Sequence, residues 1–360
     1  MFNTMPVLLG AAAKSLSLSP ASLGTLSMTA GIGYLVGTLT GPFWVDRVNR
    51  RLASFCIVLG TVISLLTISK LPSEFLLGGF AVFGLFCALA SALGMRVLAD
   101  MPNPERVFGT RLAVELISIG VFLYILSVVF VAKGGFSGGL LGMAMFTALL
   151  GLGAFLVPKR SNALAAVKTK WLPSLEQAGP SYAILAIFTV YLMANVGMFF
   201  FIGVLAGDFN PSPKQTGLMF TILKWLGGAA GIAGAVIGAR AGLRTSHLTA
   251  LIILYVGLAG LAFAKSFTVF MVSSWVWEFG FTLGCLYQTA AITRFDITNK
   301  LVVLVPTAFA VSMILGGKIG GELLSSSGPN GLYILVAICA VLPLLYMVTI
   351  RPDPKKYVPA

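Results

Sequence analysis

The chain has 360 residues, 58% of them hydrophobic and only 10% charged, with a mean hydropathy of +0.98. That excludes a soluble globular domain and fits a polytopic membrane protein. The net charge of +13 sits in short loops beside apolar spans, so membrane topology accounts for it and no nucleic acid is expected.

In chain order, the first apolar run, Met1 to about Ala13, is shorter than the roughly 20 residues a bilayer core needs. Membrane-length spans then follow at 21–44, 52–69, 75–98, 107–132, 135–157, 181–205, 213–238, 247–264, 267–291, 301–323 and 330–350. The reading is an all-α polytopic membrane protein with eleven full helices and a partial helix 1. Residues 1–157 form an N-terminal bundle, 158–180 a cytoplasmic linker and 181–360 a C-terminal bundle. Cys56, Cys87, Cys285 and Cys339 lie inside the spans without CxxC spacing. They read as small buried hydrophobes, and neither a metal site nor a cofactor is expected.

The two halves echo each other. Ser19-Pro20 followed by Gly24 returns 193 positions later as Ser212-Pro213 followed by Gly217. Gly41, Arg47 and Arg51 return at the same offset as Gly234, Arg240 and Arg244. Two motifs sharing one offset point to a duplicated half. By that offset, about a dozen residues of helix 1 are missing upstream of Met1, through the choice of start codon or because the chain is a fragment. A Ser N-cap followed by Pro opens helices 2 and 8.

The turn after helix 2 reads GPFWVDRVNRR from Gly41 to Arg51. It resembles the basic D-R-x-G-x-R-R turn, motif A, of the major facilitator superfamily. Asn49 replaces a Gly, a change that Asn tolerates if the turn is left-handed. The second copy carries Ala239 in place of the Asp. The helix 4–5 loop PNPERVFGTR resembles the family's short cytoplasmic P-E-R segment. The resemblance implies two six-helix bundles and transport by alternating access. It also implies a conformational latch at Asp46, Arg47, Arg50 and Arg51, with Arg240 and Arg244 in the weaker second copy. Asp46 would reach the N-terminal end of helix 11 near Lys300.

Lys and Arg crowd the even-to-odd loops, the linker and the C-terminal tail; the opposite loops hold only Lys14, Lys70, Lys133, Lys214 and Lys265. That bias places the C-terminus in the cytoplasm. Short loops and the lack of a glycosylation sequon favour a bacterial inner membrane. A monomer is expected.

Charges within the spans are informative because burying them in a bilayer is costly. Glu115 lies in helix 5, Lys224 in helix 8, Glu278 in helix 10, and Lys318 with Glu322 in helix 11. Lys224 and Glu278 are each roughly 16 Å below one surface, near the midplane. The functional reading makes Lys224 an anchor for a small organic anion and Glu278 or Glu115 a proton carrier. The alternative is a structural ion pair locking helices 8 and 10. Tyr191, Asn195, Trp277 and Gln288 are candidate cavity residues, and Lys318 completes the set. Small residues in the stripes Gly33/Gly37/Gly41, Gly227/Gly231, Gly234/Gly238, Gly316/Gly320 and Gly317/Gly321 let helices approach; the family resemblance puts these helices at the moving interface between halves, with static packing as the alternative. Helix 5 lacks the G-P-x-x-G-G pattern of drug antiporters, which weakens efflux of amphipathic compounds as the alternative. There is no phosphate-binding loop for ATP-driven transport, and a single histidine, His247, offers little to an intramembrane enzyme.

Overall fold

The computed structural model describes residues 2–101, 104–159, 175–237, 243–295 and 301–349. Among these the chain is helical throughout, without a strand. The helices are α1 (Met5–Leu16), α2 (Pro20–Trp44), α3 (Arg50–Ile68), α4 (Leu76–Ala99), α5 (Pro104–Ile125) and α6 (Ala132–Gly151). The second half supplies α7 (Leu175–Ala206), α8 (Pro213–Ile237), α9 (Leu243–Ala262), α10 (Phe267–Phe295), α11 (Val305–Val341) and α12 (Pro343–Thr349). Among the described residues, eight helical stretches are long and apolar enough to cross a membrane. α2 is not among them, being rich in Gly, Ser and Thr. Its hydroxyls are satisfied locally: Thr25, Ser27, Thr29, Thr38 and Thr40 each donate to a carbonyl three or four residues back.

The repeated Ser-Pro motif does the same work twice. The Ser19 hydroxyl accepts from the Ser22 N–H at 3.2 Å and starts α2. Ser212 accepts from the Gln215 N–H at 3.3 Å, and the Gln215 side chain accepts from the Ser212 N–H at 2.9 Å, a capping box at the head of α8. Asn49 corrects the sequence reading. Its backbone is extended, at φ −69°, not left-handed, and its side chain caps α3 by accepting from the Leu52 N–H.

Three boundaries also differ from expectation. α7 begins at Leu175, inside the expected linker, and carries Pro180 within it. Helices 5 and 6 have no loop between them: a π-helical segment, Leu126–Val131, runs into α6, and the chain reverses at Gly135 with φ 54°. The expected helices 11 and 12 are likewise divided at one glycine, Gly328 with φ 64° ahead of Pro329, which falls in the gap expected between them. A single glycine in that conformation replaces a loop. Within the linker, 160–174 lie outside the described residues, as do Arg240, Lys300 and 350–360.

Packing sorts the helices into two sets. α2 lies on α4, and α3 on α4 and α6; α7 lies on α11 and α10, and α9 on α10. The sets meet through α2 on α11, α5 on α8 and α1 on α7. The glycine stripes split between these roles. Gly33, Gly37 and Gly41 face α4 in their own half, and Gly316 and Gly320 face α7 in theirs. The surfaces that cross between halves use Gly24 of α2 against Gly317 and Gly321 of α11, and Gly31 against Met313 and Ile314. The helices expected between the halves do meet there, through Gly317 and Gly321, whereas the Gly33 and Gly316 stripes pack within their own halves.

Candidate functional site

Lys224 and Glu278 meet. Lys224 Nζ donates to Glu278 Oε1 at 2.8 Å, with the two side chains 4% and 5% exposed. Removing two charges from water is costly, and close geometry offsets that only if the remaining polar atoms are also satisfied. Here they are satisfied unevenly. Lys224 Nζ also sits 3.9 Å from the centroid of the Phe199 ring of α7, a cation–π contact that strengthens as water is excluded. Glu278 Oε2 is buried and has no hydrogen-bond partner. Gly227, one turn beyond Lys224 on α8, has no Cβ, which leaves room for the carboxylate: an added one would stand 3.4 Å from Glu278 Oε1.

The pair is framed by aromatic rings. Phe199 stacks with Phe2 at 5.0 Å and 18°, and Phe2 meets Phe309 of α11 edge-on at 6.4 Å. Phe188 meets Phe309 at 6.1 Å. Phe199 was not singled out from the sequence, because nothing marks it within the run Phe199-Phe200-Phe201.

Tyr191, Asn195 and Trp277 form a separate group joining α7 to α10. Trp277 Nε1 donates to Asn195 Oδ1 at 3.1 Å. Asn195 Nδ2 donates to the Tyr191 carbonyl at 2.9 Å, and the Tyr191 hydroxyl to the Phe281 carbonyl at 3.2 Å. All three residues are buried. Gln288 lies on α10 below them, fully buried, with neither amide atom partnered. Glu115 is not drawn to Glu278. It pairs with Arg111 at 2.6 Å, both side chains more than a third exposed. Lys318 pairs with Glu322 at 2.7 Å and also donates to Thr25 Oγ1 of α2 at 3.3 Å, a polar link between halves.

The basic turn builds a closed charge cycle. Arg50, only 1% exposed, pairs with Asp46 at 2.7 Å and with Asp100 at 2.6 Å. Arg96 pairs with Asp46 at 2.9 Å and Asp100 at 2.8 Å. Asp46 thus bonds within its own half in this conformation. Arg51 donates to the Val157 carbonyl at 3.0 Å, holding the end of α6. Arg47 and Arg244 are exposed. Asp100 and Arg96 went unassigned in the sequence, although two i,i+4 pairs of opposite charge, Asp46/Arg50 and Arg96/Asp100, were there to be seen.

Cavities lie elsewhere among the described residues, apart from Lys224 and Glu278. One of about 420 Å³ is lined by the N-terminal half alone, including Ser91, Arg111 and Val157. Another, about 200 Å³, lies between halves near Lys14, Ser127, Gly203 and Phe220.

A helical bundle pair of this kind, with an ion pair inside one half, is the architecture of a membrane transporter. The Major Facilitator Superfamily model matches residues 1–292, and the chain belongs to that family. No curated protein matches it. Among solved structures, a mutant of the nucleoside transporter NupG is similar at TM-score 0.80 and 14% identity, covering 97% of this chain and 96% of that one. The xylose transporter XylE from E. coli is similar at TM-score 0.73 and 13% identity, covering 99% and 96%. A D-xylose-proton symporter is similar at 0.75 and 14%, covering 99% and 96%.

Proposed function

We propose that this chain is a proton-coupled transporter of a small organic anion, working by alternating access. The observation that carries the reading is the Lys224–Glu278 pair, buried within one half with a free carboxylate oxygen. An ammonium at that depth requires a negative partner. While Glu278 is ionised it fills that need. Once a proton reaches Glu278, the charge on Lys224 is uncompensated and draws an anionic substrate. Substrate and carboxylate compete for one cation, so anion and proton travel together by population shift. Binding of the proton and of the anion then favour one another.

Alternating access is supported by where the halves touch. Gly10 on Gly203, Gly24 on Gly317 and Gly321, and Gly217 on Tyr124 all belong to the ends of the helices nearest Ser19 and Ser212. We assign this conformation as closed at that end, which the distribution of Lys and Arg makes the outer one. The halves are assigned to 1–157 and 181–360, the latch role to the turn at Asp46, and the protein to a bacterial inner membrane as a monomer with a cytoplasmic C-terminus.

A second reading, a neutral hydroxylated solute, is favoured by the structural neighbours, which are named for nucleosides and xylose. One experiment separates the two. Purified protein in proteoliposomes is given an imposed pH gradient and a panel of radiolabelled carboxylates, nucleosides and pentoses. Uptake of a carboxylate that fails in Lys224→Gln supports the anion reading. Uptake of only neutral solutes, unchanged in Lys224→Gln, overturns it.

A further inference from the structure

The geometry points to an aromatic monocarboxylate as the substrate class, with its carboxylate on Lys224 and its ring on the Phe199–Phe2–Phe309 cluster; this rests on the anion reading above. Three observations lead there. First, the cation that would hold the carboxylate lies on a ring: Lys224 Nζ is 3.9 Å from the Phe199 centroid. An anion bound to that ammonium therefore lies close to an aromatic ring as well as to Glu278. Second, the rings come from three separate elements. Phe199 belongs to α7, Phe309 to α11, and Phe2 to the short 3-10 turn, Phe2–Thr4, that leads into α1. Third, they differ in exposure. Phe199 is buried, while Phe2 and Phe309 are only half-buried.

The arrangement of the rings matches how aromatic groups recognise one another. Phe2 lies nearly parallel to Phe199, 5.0 Å away, and perpendicular to Phe309, 6.4 Å away. Offset stacking and edge-to-face contact are the two favoured geometries, and both are present around one ring. Phe2 sits where the ring of a flat ligand would find the same two contacts. A substrate ring joining or displacing it keeps those contacts. A saturated ring of equal size fills the space but lacks the quadrupole that both contacts depend on. An aliphatic acid of two carbons reaches Lys224 and leaves the rings untouched.

The test compares benzoate, cyclohexanecarboxylate and acetate for binding to the purified protein in detergent at low pH, by thermal shift and by competition with radiolabelled benzoate. Benzoate is expected to bind about 3–10-fold tighter than cyclohexanecarboxylate, the advantage of an aromatic pair beyond area burial, with acetate weakest. In Phe199→Leu that ratio should fall towards one. Phe199→Tyr should restore the preference, which separates a recognition role from one in folding. The wild-type ratio reports on the idea even if Phe199→Leu does not fold. Equal binding of benzoate and cyclohexanecarboxylate to wild type, or an unchanged preference in a folded Phe199→Leu, overturns the aromatic assignment and leaves the anion site standing. Failure of all three acids to bind overturns both.

Discussion

Gly10 of α1 lies against Gly203 of α7, the backbone of one 3.2 Å from where a Cβ on the other would begin. The two residues are 193 positions apart, the offset that relates Ser19 to Ser212 and Gly24 to Gly217. They are equivalent positions of the repeat, meeting across the line that divides the halves. Gly24 and Gly217 form a second equivalent set, each receiving a helix of the opposite half: Gly24 receives α11 and Gly217 receives Tyr124 of α5. Glycine is required at these places because backbone approaches backbone, which is how helices associate without a hydrophobic driving force in lipid.

The interface at that end should therefore be sensitive to a single side chain. A Cβ at Gly24 would fall 2.5 Å from the Gly317 carbonyl oxygen, so Gly24→Val should part α2 from α11. A cysteine at Ser27, which is fully buried against Gly317, reports on this. We expect an impermeant maleimide added from the Ser19 side to label Ser27→Cys slowly, and to label it several-fold faster with Gly24→Val present. Equal rates would show that α2 and α11 do not close that end.

The charge cycle should distribute its cost unequally. Arg50 is buried and Asp100 largely so, whereas Asp46 is about half exposed. Asp100→Asn removes a charged partner from a buried guanidinium and should destabilise by about 1.5–3 kcal/mol. Asp46→Asn should cost less than about 1 kcal/mol because its pairs are solvent-screened. Thermal unfolding in detergent compares the two. A larger loss in Asp46→Asn would contradict the burial argument, and would suit a role for Asp46 outside this conformation.

Much of this architecture was legible in the sequence because it depends on local chemistry. The Ser-Pro caps, the span lengths and the repeat offset are properties of short segments. What was not legible depends on which face of a helix meets which neighbour. The Gly33 stripe and the Gly24–Gly31 surface lie on the same helix, and only packing assigns one to α4 and the other to α11. Asn49 was expected to serve through an unusual backbone and instead serves through its side chain, as a cap. The breaks at Gly135 and Gly328 were legible as gaps between apolar runs, but not that a single glycine makes each of them. Lys224 and Glu278 were nominated from their depth alone, but the ring beneath Lys224 was hidden in a run of identical residues.

Orientation has its own check. Single cysteines placed at 208–212 should be labelled only from outside the cell, and those at 239–246 only from the cytoplasm, since α8 runs between them. Labelling of both from one side would contradict a membrane-spanning α8.

The Lys224–Glu278 pair also makes a prediction about folding. Removing one partner leaves an uncompensated buried charge, which typically costs about 3–5 kcal/mol. Lys224→Met should thus lower the unfolding temperature, and adding Glu278→Leu should restore most of the loss. The restored double variant should fold yet transport nothing. If it transports normally, the pair serves structure alone.

The most direct measurement is proton exchange on binding. Anion affinity and protonation of Glu278 are linked, so each must promote the other to the same extent. In weakly buffered detergent solution, adding a transported carboxylate to the wild-type protein should draw protons from solution as the anion binds, and none in Glu278→Gln, which should still bind the anion. Binding to the wild type with no proton uptake, or uptake that persists undiminished in Glu278→Gln, would contradict the coupling of Lys224 and Glu278.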